Sequence, residues 1–192
     1  MRNMLASEAR LQLPPWLLDQ IPTLQGIYPD QNTRMELAIS LARQNVEMKS
    51  GGPFGAAVFD ESSGELISVG VNLVESCHAS IAHAEVVAIT MAQMRLQSFN
   101  LAGEGRKLQL LTSAEPCAMC LAAIPWSGIH SVVCAARDAD VRAIGFDEGY
   151  KPSSWQKALE YSGIDAIADV QREQAVAVLK QYRDGGGQIY NT

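Results

Sequence analysis

The chain of 192 residues is short of cationic side chains, short of aromatics at 6%, and has no long apolar run. Fifteen Lys and Arg stand against 21 Asp and Glu, a net charge of -6. Gripping a phosphate backbone depends on clustered Lys and Arg, so this balance argues against nucleic acid as the main partner. No stretch approaches the roughly 20 apolar residues that span a bilayer, which argues against a membrane protein. The segment MRNMLASEARLQLPPWLL contains acidic Glu8 and no continuous apolar core, so it does not read as a secretory signal, and a cytoplasmic location is expected. The four cysteines are unevenly spaced and fit metal binding or burial better than disulfides. No internal repeat or low-complexity tract is present. With 47% hydrophobic and 19% charged residues, a single domain with a packed core is expected.

Residues 1–31 carry Pro14, Pro15, Pro22 and Pro29 around Trp16, Leu17 and Leu18, an irregular or briefly helical extension anchored by apolar side chains. Met35, Ala38, Ile39, Leu41, Ala42 and Val46 follow a helical spacing over Thr33 to Met48, and Ser50-Gly51-Gly52-Pro53 stops that helix. The short apolar runs 56–60 and 65–71 flank Glu61-Ser62-Ser63-Gly64 and predict a β-hairpin. Residues 81–97 predict a helix, 107–112 and 131–135 strands, and Cys117 to Trp126 a short helix opened by Pro116. A weaker strand over 165–170 precedes a final helix over 171–183, which ends at Gly185-Gly186-Gly187. This order of elements predicts an α/β sandwich on a mixed sheet.

Chemistry concentrates in His83-Ala84-Glu85 and Pro116-Cys117-Ala118-Met119-Cys120. Cys117 and Cys120, three residues apart, can turn both sulfurs toward one ion from the first turn of a helix. His83 lies 34 residues upstream at the start of another helix. One imidazole and two thiolates make three zinc ligands, and a catalytic zinc keeps its fourth position for water. Both helix N-termini would face the metal, and their positive ends favour anionic groups there. Glu85, two residues from His83, stands near the metal without being an obvious ligand. A carboxylate there can take a proton from a metal-activated water and return it to a substrate. The competing reading is a closed structural zinc site with Cys77, His78, His130 or Cys134 as fourth ligand, although none has the spacing of a paired ligand motif.

H-A-E followed by P-C-x-x-C resembles the zinc-dependent nucleoside and nucleobase deaminases, the cytidine-deaminase-like superfamily. Glu115-Pro116-Cys117-Ala118-Met119-Cys120 is similar to the subgroup of tRNA adenosine deaminases and bacterial guanine deaminases. Gly51-Gly52-Pro53-Phe54-Gly55-Ala56 and Gly145-Phe146-Asp147-Glu148 resemble segments of the guanine deaminases, and the likeness runs over about residues 33–150. The resemblance implies a three-layer α/β/α sandwich with a mixed five-stranded sheet. It implies one zinc ion per subunit on His83, Cys117 and Cys120, with Glu85 as the catalytic proton shuttle. Glu148 is then a second catalytic acid reading the N–H edge of a base. Asn72 contacts the ring, Phe54, Trp126 and Phe146 shape and dry the pocket, and Ala84 and Asp147 complete the substrate site. In bacterial guanine deaminases the C-terminal segment crosses a dimer and closes the partner's site with an aromatic. This implies a homodimer and makes Tyr190 the candidate lid residue.

The chain departs from that pattern in three places. The extension 1–31 lies outside it, Pro125 stands where an aromatic is common, and residues 151–192 match only in general character. The expected organisation is therefore an extension (1–31), a zinc deaminase domain (32–184) and a C-terminal lid (185–192). Taken alone, Phe54, Trp126 and Phe146 read as core, Asn72 as a turn residue and Glu148 as a surface acid. Cys77 and Cys134 read as structural, and His78 and His130 receive no role. The glycine run lacks the strand, spacing and Lys of a phosphate loop and reads as a hinge. The expected reaction is hydrolysis of the nucleobase guanine to xanthine and ammonia. Three alternatives stay open: a triazine such as ammeline, a tRNA adenosine, and a non-catalytic zinc module in which Glu85 is dispensable.

Overall fold

The computed structural model describes residues 5–190; residues 1–4 of the extension and 191–192 of the tail lie outside the described residues. Helix α1 (Pro15–Leu24) and helix α2 (Gln31–Glu47) precede a hairpin of β1 (Gly55–Asp60) and β2 (Leu66–Val71). Then follow α3 (Ala84–Leu96), β3 (Leu108–Ala114), α4 (Ala118–Ser127) and β4 (Ser131–Ala136). The chain ends with α5 (Asp138–Arg142), α6 (Trp155–Glu160), β5 (Asp165–Ile167) and α7 (Arg172–Asp184). The strands form one sheet in the order β2-β1-β3-β4-β5. Strand β1 is antiparallel to β2 and β3, whereas β3, β4 and β5 run parallel.

Local chemistry explains the elements that position the site. Asp30 caps α2 by accepting from Thr33 N at 2.9 Å. The hairpin turns at Asp60, whose Oδ1 accepts from Ser62 N and Ser63 N at 3.0 and 2.8 Å. Strands β1, β3 and β4 are buried almost throughout, because helices cover both faces of the sheet. Alternation along the strands sorts the core into two layers. Ala57, Phe59, Leu111 and Val133 face Met35 and Leu41 of α2 and Leu179 of α7. Ala56, Val58, Leu110 and Val132 face Ala88 of α3, Ile124 of α4 and Leu159 of α6. The expected three-layer sandwich on a mixed five-stranded sheet is what the structure shows.

Two differences concern boundaries. The extension forms a ten-residue helix whose Leu17, with Leu13 before it, joins the α2 side of the core. Between β4 and β5, where one uncertain helix was expected, there are two, of five and six residues. Among the described residues, no helix is long and apolar enough to cross a membrane.

Candidate active site

Three strand ends and two helix starts meet at one end of the sheet. Phe54 precedes β1, Asn72 follows β2, and Glu115 to Cys117 follow β3. The antiparallel setting of β1 puts all of them on the same side, beyond the carboxyl end of β3. His83 and Cys117 are the N-cap residues of α3 and α4, and neither side chain caps its own helix. An N-cap Ser, Thr, Asp or Asn would spend its side chain on the helix N–H groups. Here the imidazole and thiol face one another instead, with His83 Nδ1 3.5 Å from Cys117 Sγ.

Donor atoms of His83, Cys117 and Cys120 all lie within 4.8 Å of one another. Ligands about 2.0–2.3 Å from a tetrahedral zinc stand roughly 3.3–3.8 Å apart, so these three can close on one ion with little movement. No other His, Cys, Asp or Glu cluster of this kind occurs among the described residues. His130 lies at the opposite end of the sheet, 3.8 Å from Glu61, and neither Cys77, His78 nor Cys134 joins the cluster. The closed structural site therefore has no fourth protein ligand among the described residues.

Burial and charge set the titration of the groups around this cluster. The Cys120 thiol beside Cys117 holds the latter's thiol down to about 4 against the opposing effect of burial, with His83 adding to the lowering. Glu85 is 6% exposed, and burial pushes its carboxyl up to about 6 with help from the Cys117 charge. Burial pushes Glu148 up to about 8, and the charges of Cys117 and Glu85 add to it. Burial works to lower His83, but its hydrogen bond to Cys117 and the Glu85 charge outweigh this and raise it.

Beside the cluster lies a cleft of about 370 Å³, including its open mouth, walled by Phe54, Asn72, Phe146, Glu148 and Tyr190. The Phe146 ring meets Phe54 edge-on at 5.3 Å and Tyr190 at 5.0 Å. Asn72 Oδ1 accepts from Gly52 N at 3.4 Å and Val74 N at 3.3 Å, which orients its amide group toward the cleft. Asn72 Nδ2 and the Tyr190 hydroxyl are buried beside one another, and neither has a partner at full hydrogen-bond geometry among the described residues. Buried polar groups are normally paired, so two orphans on one cleft mark a place for a polar ligand.

The cytidine and deoxycytidylate deaminase zinc-binding region matches residues 29–136. The chain belongs to this zinc-binding deaminase family. It is similar in structure to a guanine deaminase from Nitrosomonas europaea, with 40% identity and a TM-score of 0.88, covering 95% of this chain and all (100%) of that one. A second structure, holding 2,6-diaminopurine, is 43% identical with a TM-score of 0.88 and covers 95% of this chain and 96% of the other. In sequence, the guanine deaminase of Bacillus subtilis is 37% identical over 121 residues, 63% of this chain and 74% of the relative.

The deaminase fold places the other expected site residues unequally. Asp147 lines the cleft, but its carboxylate is turned to Arg142 at 2.8 Å and Gly149 N at 3.0 Å. Ala84 opens α3 and is fully buried against β2 rather than lining the cleft. Trp126 is 88% exposed and does not line the cleft in the single chain, contrary to expectation. It lies nine residues beyond Cys117, about two and a half helical turns, and so projects from the opposite side of α4.

In the single chain the tail of the deaminase folds onto its own subunit's cleft, with Tyr190 on the cleft wall. The glycine run is packed rather than loose: Tyr182 donates to Gln188 O at 2.6 Å, and Gly187 N donates to Tyr182 O at 2.9 Å. Glu115 and Ala114 also line the cleft and were not singled out in the sequence. Lys151, also missed, has a side chain only 7% exposed and reaches Glu115 at 3.3 Å and Pro116 O at 2.9 Å. Glu115 had a signal, its place beside Pro116-Cys117; Lys151 had none, because only the fold brings it to that loop.

Proposed function

We propose that this deaminase hydrolyses guanine to xanthine and ammonia, with one zinc ion per subunit. The observation that carries the reading is the orphaned Asn72 amide and the buried Glu148 carboxyl facing the His83–Cys117–Cys120 cluster across an aromatic cleft. Similarity to guanine deaminases over most of the chain supports the same substrate.

Zinc held by His83, Cys117 and Cys120 would act as a Lewis acid that brings the pKa of a water from 15.7 to about 7. Glu85 takes a proton from the attacking water and passes it to the ring nitrogen beside the amino-bearing carbon. The water oxygen bonds to that carbon and the carbon–amine bond breaks. A second proton must reach the departing amine, because ammonia leaves far more readily than amide ion. Glu85 takes it from the newly bonded hydroxyl, which becomes the product carbonyl, and hands it to the amine, while Glu148 reads the N–H edge of the base and assists. Asn72 donates from Nδ2 to a ring acceptor, while Phe54 and Phe146 pack on the base and exclude water. Tyr190 closes the cleft and offers its hydroxyl to the remaining polar edge.

The assembly is a homodimer. Helix α4, AMCLAAIPWS, is apolar on every side, yet Ala122, Pro125 and Trp126 face solvent in the single chain. A helix apolar all round calls for burial on its outer face, and a second copy of this chain supplies it. A cytoplasmic location belongs to the same reading.

Ammonia release from guanine, guanosine, ammeline and a tRNA anticodon stem-loop tests the substrate. Guanine should be turned over fastest, with guanosine far slower because its ribose must compete with Tyr190 and Phe146 for the cleft wall. Faster release from the stem-loop or the triazine would replace guanine as the substrate.

A further inference from the structure

A directional chain of hydrogen bonds links the N-terminal extension to the cleft. The Trp16 indole N–H donates to Ser50 Oγ at 2.9 Å, and the Ser50 hydroxyl donates to Asn45 Oδ1 at 2.7 Å. Asn45 Nδ2 then donates to Gly52 O at 2.9 Å and to Asn72 O at 3.0 Å. Asn45 sits in the last turn of α2 and is 0% exposed, so its bonds to Gly52 and Asn72 cannot be replaced from solvent, while Trp16 and Ser50 are half-buried. Trp has only a donor to offer, which leaves the Ser50 proton for Asn45, whose Oδ1 at 2.7 Å is nearer than its backbone carbonyl at 3.3 Å. With Oδ1 occupied, the amide can only present Nδ2 to the two carbonyls.

The segments it holds form the floor of the cleft. Gly52 is gripped twice, by Asn45 at its carbonyl and by Asn72 Oδ1 at its N–H. Residue 51 must be glycine, because a Cβ there would stand 3.0 Å from Asn45 Nδ2 and overlap Asn72 O. The orphaned Asn72 Nδ2 is thus aimed by a frame that begins at α1. We propose that Asn45 is a positioning residue for base binding, acting through Asn72 both directly and by way of Gly52, and that Trp16 makes α1 part of that frame. The proposal rests on the guanine reading.

Replacing Asn45 itself strands two buried carbonyls and can unfold the chain, so the test uses Ser50→Ala and Trp16→Phe in the zinc-loaded protein. Each removes one donor in the chain, and a parent KM for guanine in Trp16→Phe would take α1 out of the frame. Wild-type turnover of guanine is measured first; its absence sinks the guanine reading and this proposal with it. Given turnover, Ser50→Ala should raise KM for guanine about three- to tenfold, the scale of one hydrogen bond, with kcat within about twofold. Ser50→Thr should restore the parent KM. In an Asn72→Ala background, Ser50→Ala should have no further effect on KM, because the residue it acts through is gone. An unchanged KM in Ser50→Ala with wild-type turnover intact, or penalties that add in the Asn72→Ala background, would overturn the proposal.

Discussion

Replacing Gly70 by Ala tests whether the packing of α3 on β2 sets the geometry of the site. A Cβ at Gly70 would lie 3.0 Å from Ala88 Cα, and closer still to the Ala84 carbonyl oxygen and the Ala88 nitrogen. Ordinary carbon contacts are about 3.5–4.0 Å, so α3 must lift by about 0.5–1 Å. The clash is with backbone, which has no rotamer to yield, so the steric cost falls near the upper end of the overpacking range, about 3 kcal/mol. Restricting the unfolded chain returns up to about 1 kcal/mol. The net loss of about 2 kcal/mol lowers Tm by about 4–8 °C in a domain of this size. His83 and Glu85 travel with α3 while Cys117 and Cys120 stay with α4. A displacement approaching 1 Å at reacting groups costs up to about a hundredfold in rate, so guanine turnover should fall by about ten- to a hundredfold. Thermal unfolding and steady-state kinetics measure both. Gly103→Ala, whose added Cβ meets nothing within 4 Å, is the control and should change neither. A Gly70→Ala protein with the parent's Tm and rate would refute the reasoning.

Other substitutions probe separate parts of the account. Glu85→Gln removes the base and keeps the shape, so zinc content by atomic absorption should stay at the parent's level while turnover falls by about a hundredfold or more; loss of zinc would make Glu85 a structural prop. Arg34 is buried and donates to Tyr28 O, Gln109 Oε1 and Glu61 O at 2.9, 3.2 and 3.4 Å. Arg34→Met strands these acceptors and should cost about 3 kcal/mol in urea unfolding. Asp140 accepts two bonds from Arg172, both at 2.7 Å, and the guanidinium holds its carboxyl below the usual range. A depressed folded pKa contributes stability above the unfolded value of about 3.9, which is lost as pH falls through the folded value. The pair is partly exposed, so Asp140→Asn should cost only about 0.5–1 kcal/mol at neutral pH, a difference that closes in strong acid. Deleting residues 185–192 should leave a folded, zinc-loaded protein that has lost most guanine turnover; unchanged kinetics would make Tyr190 a bystander.

What could be read from the sequence follows from where each constraint acts. The zinc cluster was legible because metal chemistry demands particular atoms, and Cys117-x-x-Cys120 supplies two of them within one helical turn. Strands β1, β3 and β4 were legible because burial on both faces writes a continuous apolar run. Helices α5 and α6 are too short for helical periodicity to emerge. The resemblance puts Trp126 in the pocket, whereas the angular position of residue 126 on α4 points it outward in the single chain. Asn45 is polar near a helix end, where Asn commonly serves a local cap, and nothing nearby in sequence signals its bonds to Gly52 and Asn72. The glycine run Gly185 to Gly187 reads as a hinge because glycine carries no mark of the Tyr182 ring, which turns back from the last turn of α7 to pin it.

The central claim is that the cleft beside His83, Cys117 and Cys120 hydrolyses guanine. Zinc-loaded wild-type protein given guanine in heavy-oxygen water, with product masses and ammonia followed together, tests it most directly. The account predicts one ammonia released per xanthine formed and one solvent oxygen in each xanthine. No xanthine above the uncatalysed background, or xanthine without solvent oxygen, would contradict it.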